Sequence, residues 1–299
     1  MTFAFNQPHC VLDLKAKLGE GPLWSHREEA LYFVDILGQK LHRYHPGREE
    51  LTGWDVASHA AFILPVNDGS FLVGQTEGLY HFVKETGEFS LVCKIGNEEK
   101  GTRLNDGCVD PSGRVWFGTM DLGEEKETGA VFCLGYCKAG PELRCVDKGY
   151  IVSNGPAVSP DGRRLYVADS PRQCIYIFDL DDLGNLSHKR VFARFTNGYP
   201  DGLVTDSQGN LWCGVWGGGR IARFRPDGKA LPPVPMPVSN VTKICFGGAD
   251  YRTVYVTTAR NGLSEEELRN EPQAGGVFAF RTGIPGWASP GFPVMNDCS

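Results

Sequence analysis

The chain repeats itself, and the repeat limits what it can fold into more than any other feature. Four stretches share one plan: a polar turn, an apolar run carrying aromatic residues, a second turn and another apolar run. They read EEALYFVDILGQKLH (28–42), SGRVWFGTMDLGEEKETGAVF (112–132), DGRRLYVADSPRQCIYIF (161–178) and QGNLWCGVWGGGRIARF (208–224). Two weaker copies, DGSFLVGQTEGLYHF at 68–82 and a stretch at 250–280 that opens DYRTVYVTTA and closes GGVFAF, bring the number to six. A period of roughly 40–50 residues is that of a propeller blade.

Each apolar run is about five residues long and alternates apolar with small or polar positions, the periodicity of a strand. Recurrent Asp-Gly and similar turns suit hairpins, because glycine accepts positive φ without a Cβ clash. The 38 glycines among 299 residues therefore read as repeated turns. One four-stranded blade cannot bury both of its faces, whereas six in a ring can. The expected fold is all-β: a six-bladed propeller with four antiparallel strands per blade, one domain over residues 1–299. VLDLKAKL at 11–18 is expected to pair into the last blade and lock the ring, and the final residues to form a tail. The helical signal is Ser264 followed three residues on by Glu267, a capping box, read as a short decoration in the last blade.

Charge and composition narrow the partners. The formal net charge is −6, from 30 Lys+Arg against 36 Asp+Glu. That argues against nucleic acid or an anionic membrane, which need a basic surface. No apolar run approaches the ~20 residues that span a bilayer, and the N-terminus lacks the pattern of a secretory signal. The 10 cysteines are scattered singly, only Cys133 and Cys137 being close, which suits reduced, mostly buried thiols in the cytoplasm. The expected protein is a monomer or weak oligomer.

In a propeller, polar residues at equivalent entrances of the inner strands converge although the sequence separates them. The entrances read Glu20-Gly21-Pro22, Asn105-Asp106-Gly107, Asn154-Gly155-Pro156 and Pro200-Asp201-Gly202. The remaining two read Ser58-His59-Ala60-Ala61 and Asn240-Val241-Thr242-Lys243. Four of the six thus carry Glu, Asn, Asn and Asp, hard oxygen donors that suit a divalent cation. The competing reading is turn chemistry, in which Asn-Gly and Asp-Gly are turn formers in any β protein. Nothing in a turn, however, calls for Glu20 before Gly21-Pro22.

At these residues the sequence resembles the SMP-30/gluconolactonase/regucalcin family of six-bladed propellers. The stretches are LGEGPLW (18–24), RLNDGCVDPSGRVWFGTMD (103–121), SNGPAVSPDGRRLYVADS (153–170) and YPDGLVTDSQGNLW (199–212). The likeness runs nearly end to end and is weakest in the second blade. It extends to bacterial sugar lactonases of the xylonolactonase type through NVTKICFGGAD (240–250) and TTARNGLS (257–264). The resemblance implies one divalent metal ion (Ca2+, Zn2+, Fe2+, Mn2+ or Mg2+) held by Glu20, Asn154 and Asp201. It implies a sugar lactone oriented by Arg103 and Asn105, with Asp121 as a further acidic contact for which Glu124 competes. The implied reaction is hydrolysis of an aldonolactone, with Asp201 as ligand and base.

Two other functions compete: a non-enzymatic calcium-binding propeller, which would not need Arg103 and Asn105, and an esterase or organophosphatase, which would want an apolar pocket. No Gly-x-Ser-x-Gly elbow favours a serine hydrolase. Gly217-Gly218-Gly219 reads as a hairpin turn, His42 and His45 as surface residues, Cys108 as a core thiol, and Lys243 as either a substrate contact or a packing residue.

Overall fold

The computed structural model describes residues 6–95, 101–137 and 140–293, the side chains of 136, 137 and 140 excepted. It begins with β1 (His9–Leu12), followed by β2 (Gly19–Ser25), β3 (Ala30–Asp35), β4 (Lys40–His45) and β5 (Glu50–Asp55). Next come β6 (Phe62–Pro65), β7 (Phe71–Gln75), β8 (Gly78–Val83) and β9 (Glu88–Lys94), then β10 (Thr102–Val109), β11 (Val115–Asp121), β12 (Gly129–Cys137) and β13 (Gly140–Tyr150). They are followed by β14 (Ser153–Val158), β15 (Arg164–Asp169), β16 (Cys174–Leu180) and β17 (Leu186–Arg194), then β18 (Tyr199–Thr205), β19 (Leu211–Trp216), β20 (Arg220–Phe224) and β21 (Ala230–Pro235). The last are β22 (Val241–Gly247), β23 (Thr253–Thr258), the helix α1 (Glu265–Asn270) and β24 (Val277–Arg281).

These strands form six four-stranded antiparallel sheets, the expected six-bladed β-propeller. Five blades are runs of consecutive strands. The sixth has the order β22-β23-β24-β1, so its outermost strand comes from the N-terminal end. That strand starts earlier than the stretch 11–18 and stops at Leu12, while Leu18 makes only an isolated bridge to Ala259.

The chain divides into two compact units, Met1–Ala60 with Phe195–Ala288 and Ala61–Arg194 with Ser289–Ser299. Each holds three blades. Within each unit the strand periodicity explains the packing. In β11, Val115 and Phe117 join the cluster around Phe62, Leu72 and Leu104, while Trp116 between them joins the cluster around Tyr150, Leu165 and Phe178. In β24, Phe278 and Phe280 pack with Trp212 and Phe246, while Val277 and Ala279 pack with Phe33 and Tyr255. Alternate side chains thus serve opposite faces, and both faces are apolar. Burial falls outward across a sheet: β3 is buried throughout, whereas β5 is largely exposed.

A carboxylate shapes the hairpin turns. Asp110 accepts the backbone N–H of Ser112 at 2.8 Å and of Arg114 at 3.0 Å, and its second oxygen takes the Trp116 indole N–H at 2.8 Å. Asp206 repeats this with Gln208, Asn210 and Trp212. These are Asx turns tied to the core. Helix α1 carries the capping box read from the sequence, with Ser264 at N-cap and reciprocal bonds to Glu267. At the other end, Phe292 is 1% exposed, makes a parallel bridge to Val66, and exchanges backbone bonds with Pro65 and Asn67. The chain is therefore docked as far as Phe292, and residues 294–299, where a tail is expected, lie outside the described residues.

Candidate active site

The polar triplets do not precede their strands as turns; they lie inside the strands, as β-bulges. The pairing slips by one residue between Glu20 and Leu23 in β2, Leu104 and Gly107 in β10, and Asn154 and Ala157 in β14. It slips again between Pro200 and Leu203 in β18 and between Val241 and Ile244 in β22. Of the six innermost strands, only β6 is paired continuously. A bulge inserts one extra residue and re-aims the side chains around it. Turn-forming residue types satisfy that geometry too, which is why the sequence reads equally well as turns. The register also sets the alignment: Glu20 and Asn154 are the last paired residues before the slip, whereas Asn105 and Asp201 are the first residues within it.

In the first unit, Glu20 and Asp201 are both 6% exposed. Glu20 Oε2 accepts the N–H of Gly21 at 2.9 Å, and Gly21 has φ 55°, a left-handed value that a side chain would disfavour. Lys243 is 7% exposed. A Cβ on Gly202 would lie 2.5 Å from Lys243 Cβ and 2.9 Å from its Cα, so the lysine stem occupies the space over the residue after Asp201. Thr242, fully buried, donates to the Gly19 carbonyl at 2.6 Å and fixes the strand that carries Glu20.

In the second unit, Arg103 and Asn105 are buried and wired together. Arg103 Nη1 donates to Asn105 Oδ1 and to the Leu104 carbonyl, both at 2.9 Å, and Asn105 Nδ2 donates to the Ser153 carbonyl at 3.1 Å. The Ser153 hydroxyl in turn donates to the Thr119 carbonyl at 2.8 Å. Asn154 accepts the Gly155 N–H at 3.1 Å and donates to Ser170 at 3.4 Å. Asp106 accepts the Gly107 N–H at 2.7 Å. Asp121 braces the turn that follows it. Its Oδ2 accepts the N–H groups of Glu125 and Lys126, both at 3.2 Å, and these hold its carboxyl below its usual range. Glu124, its rival, is exposed on the same turn at φ 57°.

Gly217 and Gly219 have positive φ, and Gly218 N–H closes the turn onto Val215, so the triple glycine is a hairpin turn. His42 and His45 are not on the surface; they are 8% and 7% exposed. Their place on an outer strand, without ligand spacing or partner, suggests exposed positions, but His42 stacks on Phe33 at 5.0 Å, and burial lowers its pKa. The eight described cysteines are free; Cys108 is only half-buried. Burial drives the Cys213 and Cys245 thiols far up, so they stay protonated and inert as nucleophiles. Sequence reading missed Ser153 and Thr242 as supports, because small hydroxyl residues in a strand carry no signal of their role.

The comparisons with known proteins fall on this architecture. The model of the SMP-30/gluconolactonase/LRE-like region matches residues 18–260, and the chain belongs to that family. It is 36% identical over 288 residues to a 6-deoxy-6-sulfogluconolactonase of Pseudomonas putida, covering 95% of this chain and 97% of that one. It is 35% identical to an L-arabinolactonase of Azospirillum brasilense, covering 96% and 95%. Among solved structures, a calcium-binding protein, regucalcin, from Agrobacterium tumefaciens superposes with a TM-score of 0.90 at 26% identity, covering 97% of this chain and 98% of that one.

Proposed function

We propose that this protein is an enzyme that opens sugar lactones, hydrolysing an aldonolactone to its aldonic acid within sugar oxidation, in the cytoplasm. The observation that carries the reading is the pair of buried acids, Glu20 and Asp201, at bulges of innermost strands in a chain whose relatives at 35% identity or more are named lactonases. Asn154 occupies in its own blade the register position that Glu20 occupies in the first, and the family resemblance names it as the amide donor. Among the described residues no group of three or more His, Cys, Asp or Glu stands ready for a metal. Two carboxylates with an amide are a different donor set, one that fits a hard divalent ion such as Ca2+, Mg2+, Mn2+, Fe2+ or Zn2+.

A bound ion would supply Lewis-acid polarisation of the lactone carbonyl. The chain's own groups then divide the work. Asp201 accepts a proton from the attacking water as the new C–O bond forms. It returns that proton to the ring oxygen as the ring C–O bond breaks, leaving an acid and a hydroxyl. Arg103, its guanidinium fixed by Leu104 and Asn105, donates to the sugar hydroxyls, and Asn105 accepts from or donates to them. Asp121 is assigned the further hydroxyl contact.

The test is acid release from a panel of aldono-1,4- and 1,5-lactones by chelated protein reloaded with single metals. Hydrolysis that chelation abolishes and one metal restores is expected. Asp201→Ala should remove it while leaving the far-UV circular dichroism unchanged. No acceleration of any lactone would leave the second reading, an ion-binding propeller without catalysis, which the fold match to a calcium-binding regucalcin favours.

A further inference from the structure

Lys243 is a lysine with almost no exposure, in the strand β22 of the first unit. Lysine is rarely buried without a partner of opposite charge, because stripping water from an ammonium is strongly unfavourable. Two acids lie next to the residues it packs on. The Lys243 stem lies over Gly202, so the side chain starts directly beside Asp201 in β18. The preceding residue, Thr242, is bonded to the Gly19 carbonyl, directly before Glu20 in β2. Strand β22 packs against both β2 and β18. Lys243 lies at the second position of the bulge in β22, the register equivalent of Gly202 in β18, which it covers.

We propose that the ammonium of Lys243 is the counter-charge of the Glu20 and Asp201 carboxylates and competes with the divalent ion for them. Without the ion, the lysine offsets the negative charge of the two carboxylates in a buried setting. When the ion takes the carboxylates, the ammonium must give way, and the repulsion between the two cations weakens ion binding. Lys243 thereby sets how tightly the protein holds its metal. This rests on the reading of Glu20 and Asp201 as ligands.

The experiment is calorimetric titration of chelator-stripped protein with MnCl2, CaCl2 or ZnCl2, with thermal melting of the stripped protein alongside. Lys243→Met keeps the stem over Gly202 and removes the charge; Lys243→Arg keeps the charge. Lys243→Met should bind the ion about tenfold more tightly or better, and Lys243→Arg within about threefold of wild type. Stripped Lys243→Met should melt below stripped wild type, and the added ion should raise its Tm more. Unchanged or weaker binding in a folded Lys243→Met overturns the proposal, as does an unchanged Tm of the stripped variant. Binding of none of the three ions by wild type would overturn the ligand reading and the competition with it. It would leave the melting comparison to judge the charge pairing by itself. Should Lys243→Met fail to fold, Lys243→Gln carries the same comparison.

Discussion

Glu20, Asp106 and Asn154 each accept a hydrogen bond from the N–H of the next residue, and each time that residue is glycine. The side chain folds back over its own bulge, which fixes its oxygen without help from a distant element. At Gly155 the backbone needs φ 87°, a region that L side chains rarely adopt. Gly155→Ala should cost about 1–2 kcal/mol in urea unfolding and displace Asn154. An unchanged midpoint would show that the bulge tolerates a Cβ. At this scale the sequence revealed the residue types but not the offset between Asn105 and Glu20. A turn and a bulge use the same residues, and only the ladder of backbone bonds distinguishes them. His42 and His45 read as surface residues for a related reason: an outer strand looks exposed in the sequence, while what covers it comes from elsewhere.

Among the elements, the hairpin turns carry the clearest energetic signature. Asp110 is fully buried and serves two backbone N–H groups, the Trp116 indole and the Arg114 guanidinium, the last at 2.6 Å. Asp110→Ala should lower stability by about 3 kcal/mol, since buried donors lose their acceptor. Urea unfolding should show it, and a loss near zero would mean that water replaces the carboxylate. Asp250 in the β22–β23 turn behaves differently, because it lies at the surface. Arg281 in β24 grips both of its oxygens, and this bond first, helped by the Arg252 N–H, holds its pKa at about 2. An acid with a depressed folded pKa contributes stability above its unfolded value, and that contribution is lost as pH falls. The difference in denaturation midpoint between wild type and Asp250→Asn should therefore be full above pH 3.8 and fade as pH falls towards about 2. A difference that persisted below that range would assign the effect to geometry and not to charge. The turns of Asp110 and Asp206 were legible in the sequence as polar turns with glycine, although their bonds to tryptophan were not.

For the molecule as a whole, closing the sixth blade matters most. β1 pairs with β24, and the Tyr44 hydroxyl of β4 donates to the Val11 carbonyl at 2.9 Å, so the N-terminal strand is held by two blades of its unit. Removing residues 1–12 would bare the edge of β24, and unpaired edges invite aggregation. The truncated protein should melt about 5 °C lower or more and aggregate on heating; equal melting would show that β1 is dispensable. The six repeats, the strand alternation and the polar residues at the inner strands can be read from the chain alone. These depend on periodicity and local backbone preference, which each segment carries alone. That the triplets are bulges, that Asp121 holds a turn, that Phe292 docks on the second blade and that Lys243 lies over Gly202 emerges from the folded chain. Each of these depends on which distant segment fills the space beside a residue, and no local pattern encodes that.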